Sequence, residues 1–174
     1  LLKLILNKKY NPLFESDARY FIITGGRGSG KSFAATVFLT LLTMTKGIRI
    51  LFTRYTMTSA HLSIIPEFLE KIGLLGFEDV FSINKAEVLN QSNQSDILFR
   101  GIKTSAGNQT ASLKSLQGIS CWVLDEAEEL IDENIFDTID LSIREKDVQN
   151  RIILILNPVT KEHWIYDRFF ESKG

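Results

Sequence analysis

The chain has 174 residues, 44% of them hydrophobic, and a formal charge of −1, so it can build one sizeable core and its length favours a single domain over residues 1–174. Near-neutral charge argues against a surface that grips nucleic acid everywhere, while leaving room for a local basic stripe or a ring of subunits. Cys121 is alone and cannot form an internal disulfide, His61 and His163 lack zinc-ligand spacing, and no run approaches the about eighteen apolar residues of a membrane span.

Residues 1–6 are apolar and residues 8–17 are polar with Pro12, so a loop is expected before the first strand. Residues 19–24 read as a buried strand, and residues 31–44 as a long helix, apolar nearly all round and suited to burial against a sheet. Between them, Gly25-Gly26-Arg27-Gly28-Ser29-Gly30-Lys31-Ser32 satisfies the phosphate-loop pattern G-x-x-x-x-G-K-[ST]. Strand, glycine loop and helix is the setting in which that pattern has physical meaning. The glycines let successive backbone N–H groups approach an anion, and the helix N-terminus adds roughly half a positive charge. Lys31 is then expected on the β- and γ-phosphates of a nucleotide, and the Ser32 hydroxyl on Mg²⁺.

Lys46-Gly47 should stop the helix, and residues 48–53 form the next strand. Strand, helix and strand at this spacing imply a right-handed parallel crossover. Residues 59–69 look helical despite Pro66, with breaks expected at Gly73 and Gly76. Apolar pieces at 80–83, 86–89 and 97–99 read as hairpin-like strands, and residues 103–118, polar and rich in small side chains, as a long loop. Residues 120–124 are a buried strand ending in acid, and Asp132 caps a helix carrying Ile135, Ile139 and Ile143. Residues 151–156 are the last strand, followed by an amphipathic helix through Trp164, Ile165, Phe169 and Phe170.

A phosphate loop needs a second, acidic position, and Cys121-Trp122-Val123-Leu124-Asp125-Glu126 supplies it. Four apolar residues bury a strand whose end resembles a Walker B motif. Asp125 would complete the metal site with Ser32, and Glu126, pointing the other way, would orient or deprotonate an attacking water. Acids at a strand end often do no more than cap a helix, but beside this loop they point to hydrolysis. Arg27 can lean on the γ-phosphate as an internal arginine finger or be a solvated loop residue. Asn157 can contact the γ-phosphate and report hydrolysis or begin a turn at Pro158. Lys114, Arg144 and Arg100 could each reach a neighbouring subunit's nucleotide, although each singly is also an ordinary solvated charge. Tyr10, Asn11 and Pro12 suit either an adenine contact or a plain turn, and Trp122, Trp164 and Cys121 read as core. Asn84-Lys85-Ala86-Glu87 approaches the guanine-binding N-K-x-D pattern, but it precedes Asp125 where GTPases place it afterwards, so adenine is the better base.

With these residues in place the chain resembles the ATPase domain of the large terminase subunit of tailed bacteriophages, the motor that packages DNA into capsids. Four stretches carry the resemblance: the phosphate loop with Arg27, Leu51-Phe52-Thr53-Arg54-Tyr55, Leu113-Lys114-Ser115-Leu116-Gln117-Gly118 running into the segment from Cys121 to Leu130, and Ile155-Leu156-Asn157-Pro158 with Trp164 downstream. The resemblance implies an α/β P-loop NTPase of the ASCE type: a mainly parallel central sheet flanked by helices, with one strand between the phosphate-loop strand and the Walker B strand. It implies ATP and Mg²⁺ as ligands, Lys31, Arg27, Glu126 and Asn157 in catalysis and coupling, and a homo-oligomeric ring around double-stranded DNA with a neighbour's cation completing each site. The portal of the procapsid and a small terminase subunit would be partners, in the host cytoplasm and without a membrane. A nuclease domain follows in that family, so cleavage is not expected of this stretch, which begins without methionine and reads as part of something longer. Two rivals stay open, a helicase-like P-loop ATPase and a nucleotide-switched binding protein with little turnover; a nucleotide kinase would need an acceptor pocket and lid arginines, and the acids at Asp125 and Glu126 favour water as acceptor instead.

Overall fold

The computed structural model describes residues 4–57 and 60–171; the first three residues, Ser59 at the expected helix start and the chain end at Gly174 lie outside the described residues. Among the described residues eight strands form one sheet: β1 (Tyr20–Thr24), β2 (Arg49–Thr56), β3 (Phe81–Ile83), β4 (Glu87–Asn90), β5 (Asp96–Thr104), β6 (Gly107–Asn108), β7 (Cys121–Asp125) and β8 (Arg151–Leu156). Their order is β1-β8-β7-β2-β5-β4-β3, with β6 paired to β5. The run β1, β8, β7, β2, β5 is parallel, while β4, β3 and β6 join antiparallel. The sheet is therefore mainly parallel, and β8 is the single strand between the phosphate-loop strand β1 and the acid-ended strand β7, as the ASCE expectation requires.

The described helices are α1 (Pro12–Glu15), α2 (Lys31–Leu42), α3 (Ala60–Ser63), α4 (Ile65–Leu75), α5 (Thr110–Lys114), α6 (Glu133–Asp140) and α7 (Trp164–Phe169). Side chains alternate between the faces of a strand, and the central strands are apolar at nearly every position because both faces are covered. On one face Ile50, Phe52, Val123, Ile153 and Ile155 pack against Ala35 and Phe38 of α2 and Phe68 and Ile72 of α4. On the other, Leu51, Trp122, Leu124, Ile152 and Leu154 pack against Leu113 of α5, Phe136 and Ile139 of α6 and Ile165 of α7. This alternation decides where the polar residues at the strand ends point. Arg54 follows Ile50 and Phe52, and Asp125 follows Cys121 and Val123, so both fall on the face that carries α2 and α4.

Several local expectations are corrected. Gly73 does not break the fourth helix, because a single glycine costs an interior only about 1 kcal/mol while Phe68 and Ile72 of the same helix are buried; the helix ends at Gly76, in the left-handed region at φ 71°. Pro66 does not sit inside a helix but in the first turn of α4, where its missing N–H is harmless. Residues 103–118 are not a structureless loop: β6 and α5 lie there, held by Leu113, which is buried, and by Asn108 Oδ1 accepting the Thr110 N–H at 2.8 Å. Residues 8–17 hold a 3₁₀ turn over Lys8–Tyr10 and α1 rather than a loop, since Tyr10 and Leu13 enter the core. Ile143, expected on the helix after Asp132, lies beyond the end of α6 yet is still buried.

Candidate nucleotide site

The carboxyl ends of the parallel strands open into a cleft of about 400 Å³ lined by residues 27–33, Arg54, Asp125, Glu126, Glu128 and residues 155–157. That volume lies within the usual range for small-ligand pockets. Four chain segments that are distant in sequence meet here because β1, β2, β7 and β8 all run in one direction and end on one edge of the sheet. Lys31, Arg27, Ser32, Asp125, Glu126 and Asn157 are all brought together.

The phosphate loop turns where glycine is required. Gly30 sits at φ 81° as the residue before α2, a region that costs a residue with a Cβ about 1 to 2 kcal/mol. A Cβ at Gly25 would lie 2.8 Å from Ser29 Oγ. The loop is pinned from outside, since the Tyr10 hydroxyl donates to the Ser29 carbonyl at 2.9 Å and Lys9 Nζ to the same oxygen at 3.2 Å. Thus Tyr10, named from the sequence for adenine or for a turn, holds the loop's backbone. Lys31 curls onto the loop it belongs to, donating to the carbonyls of Gly25 at 2.8 Å and Gly26 at 3.3 Å and to Asn157 Oδ1 at 3.2 Å. Asn157 in turn donates from Nδ2 to Glu128 Oε1 at 2.7 Å, and the Glu128 backbone carbonyl meets His163 Nε2 at 3.0 Å. A chain of contacts therefore runs from the loop lysine to the start of α7. Asn157 is a junction, not an isolated turn residue. Glu128 Oε2 is buried and finds no partner among the described residues.

The acidic side of the cleft is built on β7. Asp125 ends the strand, mostly buried, and accepts from Arg54 Nε at 2.9 Å, with Arg54 Nη2 at 2.8 Å from the same oxygen. Arg54 Nε is also 3.7 Å from Glu126 Oε2. Beneath this pair the Trp122 indole donates to Thr53 Oγ1 at 2.9 Å, and that hydroxyl donates to the Val123 carbonyl at 2.9 Å, fully buried. Removing the Thr53 hydroxyl would strand the indole N–H, at a cost of about 1 to 3 kcal/mol, so β2 and β7 are fixed against each other directly below the two charges. Glu126 occupies the left-handed region at φ 52°, ψ 45°, a conformation that non-glycine residues adopt rarely and that is concentrated at functional sites. The reversal turns its carboxylate away from the strand line into the cleft. Partial burial pushes the Glu126 carboxyl above its ordinary value, with Arg54 pulling it back and Asp125 pushing it further. Glu67 on α4 is raised in the same way, first by burial and then by Asp125, with Arg54 opposing. Arg54 thus pairs with Asp125 and opposes the upward shift of both Glu126 and Glu67, with Lys71 also acting on Glu67.

Ser32 and Asp125 offer oxygen donors into the same cleft, a donor set that fits a hard divalent cation. Arg27 is exposed on the rim. The three distant cations separate. Arg100 folds back, its Nη1 donating to the Phe99 carbonyl at 2.8 Å. Arg144 is exposed next to Ile143, whose carbonyl accepts from Arg19 just before β1, so it stands at the amino ends of the strands. Lys114 is exposed at the end of α5. Residues 84–87 form the tight turn between β3 and β4, with Asn84 Oδ1 accepting the Ala86 N–H at 2.9 Å, at the far edge of the sheet from β1. Cys121 is fully buried, its thiol pushed up to about 12 by desolvation, and Trp122 is core as expected. Arg54 and Glu128 were not singled out from the sequence for any chemistry. The one signal for Arg54 was its place in a stretch of family resemblance.

No match is found among curated protein sequences. The structure is similar to that of the large terminase of a thermophilic bacteriophage, with a TM-score of 0.75 at 12% identity over 95% of this chain and 42% of that one. It is similar to the large terminase ATPase domain of Thermus phage P74-26 (TM-score 0.63, 18% identity, 94% of this chain and 68% of that one). A chain of the phi-29 viral genome packaging motor assembly also matches (TM-score 0.64, 14% identity, 95% and 50%). This chain therefore spans less than half the length of the first of these terminases, and at such identities the likeness establishes the fold. The model of the family described as phage terminase large subunit matches residues 17–174, and the chain belongs to that family.

Proposed function

We propose that residues 1–174 are an ATP-hydrolysing motor domain that drives double-stranded DNA into a procapsid. One observation carries the reading: phosphate loop, Asp125, Glu126 and Asn157 converge in a single cleft at the carboxyl ends of one parallel sheet. Structures of the large terminase from the thermophilic phage hold ADP and ATP-gamma-S, and the phi-29 relative belongs to a packaging motor. The β- and γ-phosphates would lie in the loop with the α2 N-terminus behind them, and Lys31 would leave the loop carbonyls and Asn157 to meet them. Ser32 and Asp125 would hold Mg²⁺, which when bound neutralises phosphate charge. Glu126 would take a proton from the attacking water, a task helped by a carboxyl that burial raises above its ordinary value. Arg27 would reach from the rim to the γ-phosphate. Once Lys31 lets go, Asn157 would be free to respond to the γ-phosphate and pass its loss to Glu128, His163 and α7. The apolar cleft of about 420 Å³ between Tyr10, Pro12 and β1 is suited to the adenine ring.

The domain would act within a ring, on the portal and with a small terminase subunit, in the host cytoplasm; among the described residues no helix is long and apolar enough to cross a membrane. Of the three cations considered for a neighbour's site, Lys114 is favoured, because Arg100 is committed to backbone carbonyls and Arg144 stands at the opposite end of the strands. The test is to titrate the ATPase of the full-length protein with DNA and with empty procapsids. Stimulation by both is expected. Stimulation by DNA alone would favour a helicase-like ATPase, and turnover indifferent to both would favour a nucleotide-switched binder.

A further inference from the structure

Among the described residues, Arg54 is the one cation in direct contact with the carboxylate that would hold a metal. It is tied to Asp125 through two nitrogens at 2.8 and 2.9 Å and stands 3.7 Å from Glu126. The other cations of the cleft are elsewhere: Lys31 is engaged by Gly25, Gly26 and Asn157, and Arg27 is on the rim. Without Arg54, Asp125 and Glu126 would face each other as adjacent carboxylates, with Glu67 close on α4, and ionising all three together in a partly buried pocket is costly. The strands beneath are locked by the Trp122–Thr53–Val123 bonds. Any change of partner must therefore come from the Arg54 side chain, whose stem can swing while its Cα stays in register.

We propose that Arg54 is a resident counter-cation that holds Asp125 in the nucleotide-free protein and must give it up when a divalent cation enters with the nucleotide. The inference rests on the reading of Asp125 as the metal-site carboxylate. A guanidinium that donates a hydrogen bond from Nε and holds Nη2 at 2.8 Å from the same carboxylate oxygen is a strong, charge-assisted partner, so a divalent cation alone meets an occupied site. The same cation arriving on a triphosphate brings the phosphate oxygens as additional ligands and can outcompete the guanidinium. Arg54 then remains next to Glu126, the carboxylate it already approaches. It is a positioning residue: it keeps the acidic pair ordered while the site is empty and makes entry of metal conditional on nucleotide.

The test is Mn²⁺ titration followed by electron paramagnetic resonance, without nucleotide and with ATP-gamma-S, for the wild type, the Arg54→Gln, Arg54→Lys and Asp125→Asn variants and the Arg54→Gln/Asp125→Asn double variant, with folding checked by thermal melting. Without nucleotide the wild type should bind Mn²⁺ weakly. Arg54→Gln should bind it roughly tenfold or more tightly, a typical size for coupling between two ligands of one site, and Arg54→Lys, which keeps the charge and loses the paired grip, should fall between. A merely structural role would move affinity the other way, since a disordered site loses metal. If adding Asp125→Asn to Arg54→Gln leaves the tighter Mn²⁺ binding of Arg54→Gln unchanged, the metal-site reading itself fails. If Asp125→Asn weakens Mn²⁺ binding in the presence of ATP-gamma-S but Arg54→Gln and Arg54→Lys without nucleotide bind Mn²⁺ no more tightly than wild type, the site stands and the counter-cation role is overturned.

Discussion

Glu126→Gln separates chemistry from binding in this cleft. The substitution keeps the side chain's size and leaves an amide oxygen near Arg54, so the phosphate loop, Lys31 and Asp125 should be undisturbed. What disappears is the group that accepts a proton. Loss of a positioned general base typically costs 10² to 10⁴ in rate, roughly 3 to 5 kcal/mol of barrier, so kcat should fall by about that factor while ATP affinity stays within about threefold. Stability gives an independent check with a defined sign. The Glu126 carboxyl is raised by burial, so its ionised form is disfavoured by folding: the penalty is absent below the unfolded-state value and fully present above the folded-state one. The Gln variant should therefore match or slightly exceed the wild type in melting temperature at pH 7, with the difference vanishing near about pH 3.5 if both remain folded. Glu126→Gly should add about 1 kcal/mol by relieving the left-handed backbone at φ 52°, yielding a more stable and inactive protein. Phosphate release measured beside calorimetric ATP binding decides the matter. A Gln variant that hydrolyses ATP at the wild-type rate would refute the role of Glu126.

Lys31→Ala should weaken ATP binding itself by at least about tenfold, since a charge-assisted contact to phosphate is worth roughly 1.5 to 3 kcal/mol; equilibrium binding of a fluorescent ATP analogue reads it. Asn157→Ala removes a partner from Lys31 and leaves Glu128 Oε1 as bare as Oε2 already is. It should lower kcat far more than it changes ATP affinity, and steady-state kinetics beside binding would show the split. Tyr10→Phe deletes one neutral hydrogen bond to the Ser29 carbonyl and keeps the buried ring. A loss near about 1 kcal/mol is expected, visible in thermal melting and as a several-fold rise in KM. In Arg54→Gln the acid limb of the pH–rate profile should move to higher pH, because Arg54 is the group that opposes the upward shift of Glu126.

The parts of the site that were legible in the sequence are those whose function requires contiguity. Gly25 to Ser32 must lie in one loop for successive N–H groups to face one anion, and four apolar residues before Asp125 announce a strand buried on both faces. The parts that were hidden depend on which strands become neighbours. Arg54 lies near the end of a strand, and nothing local distinguishes it from a solvated arginine; only the pairing of β2 beside β7, in the register Thr53 with Leu124, brings its side chain to Asp125. Glu128 reads as one more acid in an acidic run, and it acquires a role because β8 on the other side of β7 delivers Asn157 to it. The misjudged elements have a related cause: residues 103–118 lack helical periodicity because α5 is too short to display any, and one buried side chain, Leu113, is enough to dock it. Local pattern thus locates the phosphate and the acid, while the lateral order of the sheet decides which cation guards the acid and which carboxylate steadies the amide. The residues most exposed to misreading from sequence are therefore those on strands flanking β7, and Arg54 and Asn157 occupy comparable places there, one on each side of the strand that ends in Asp125.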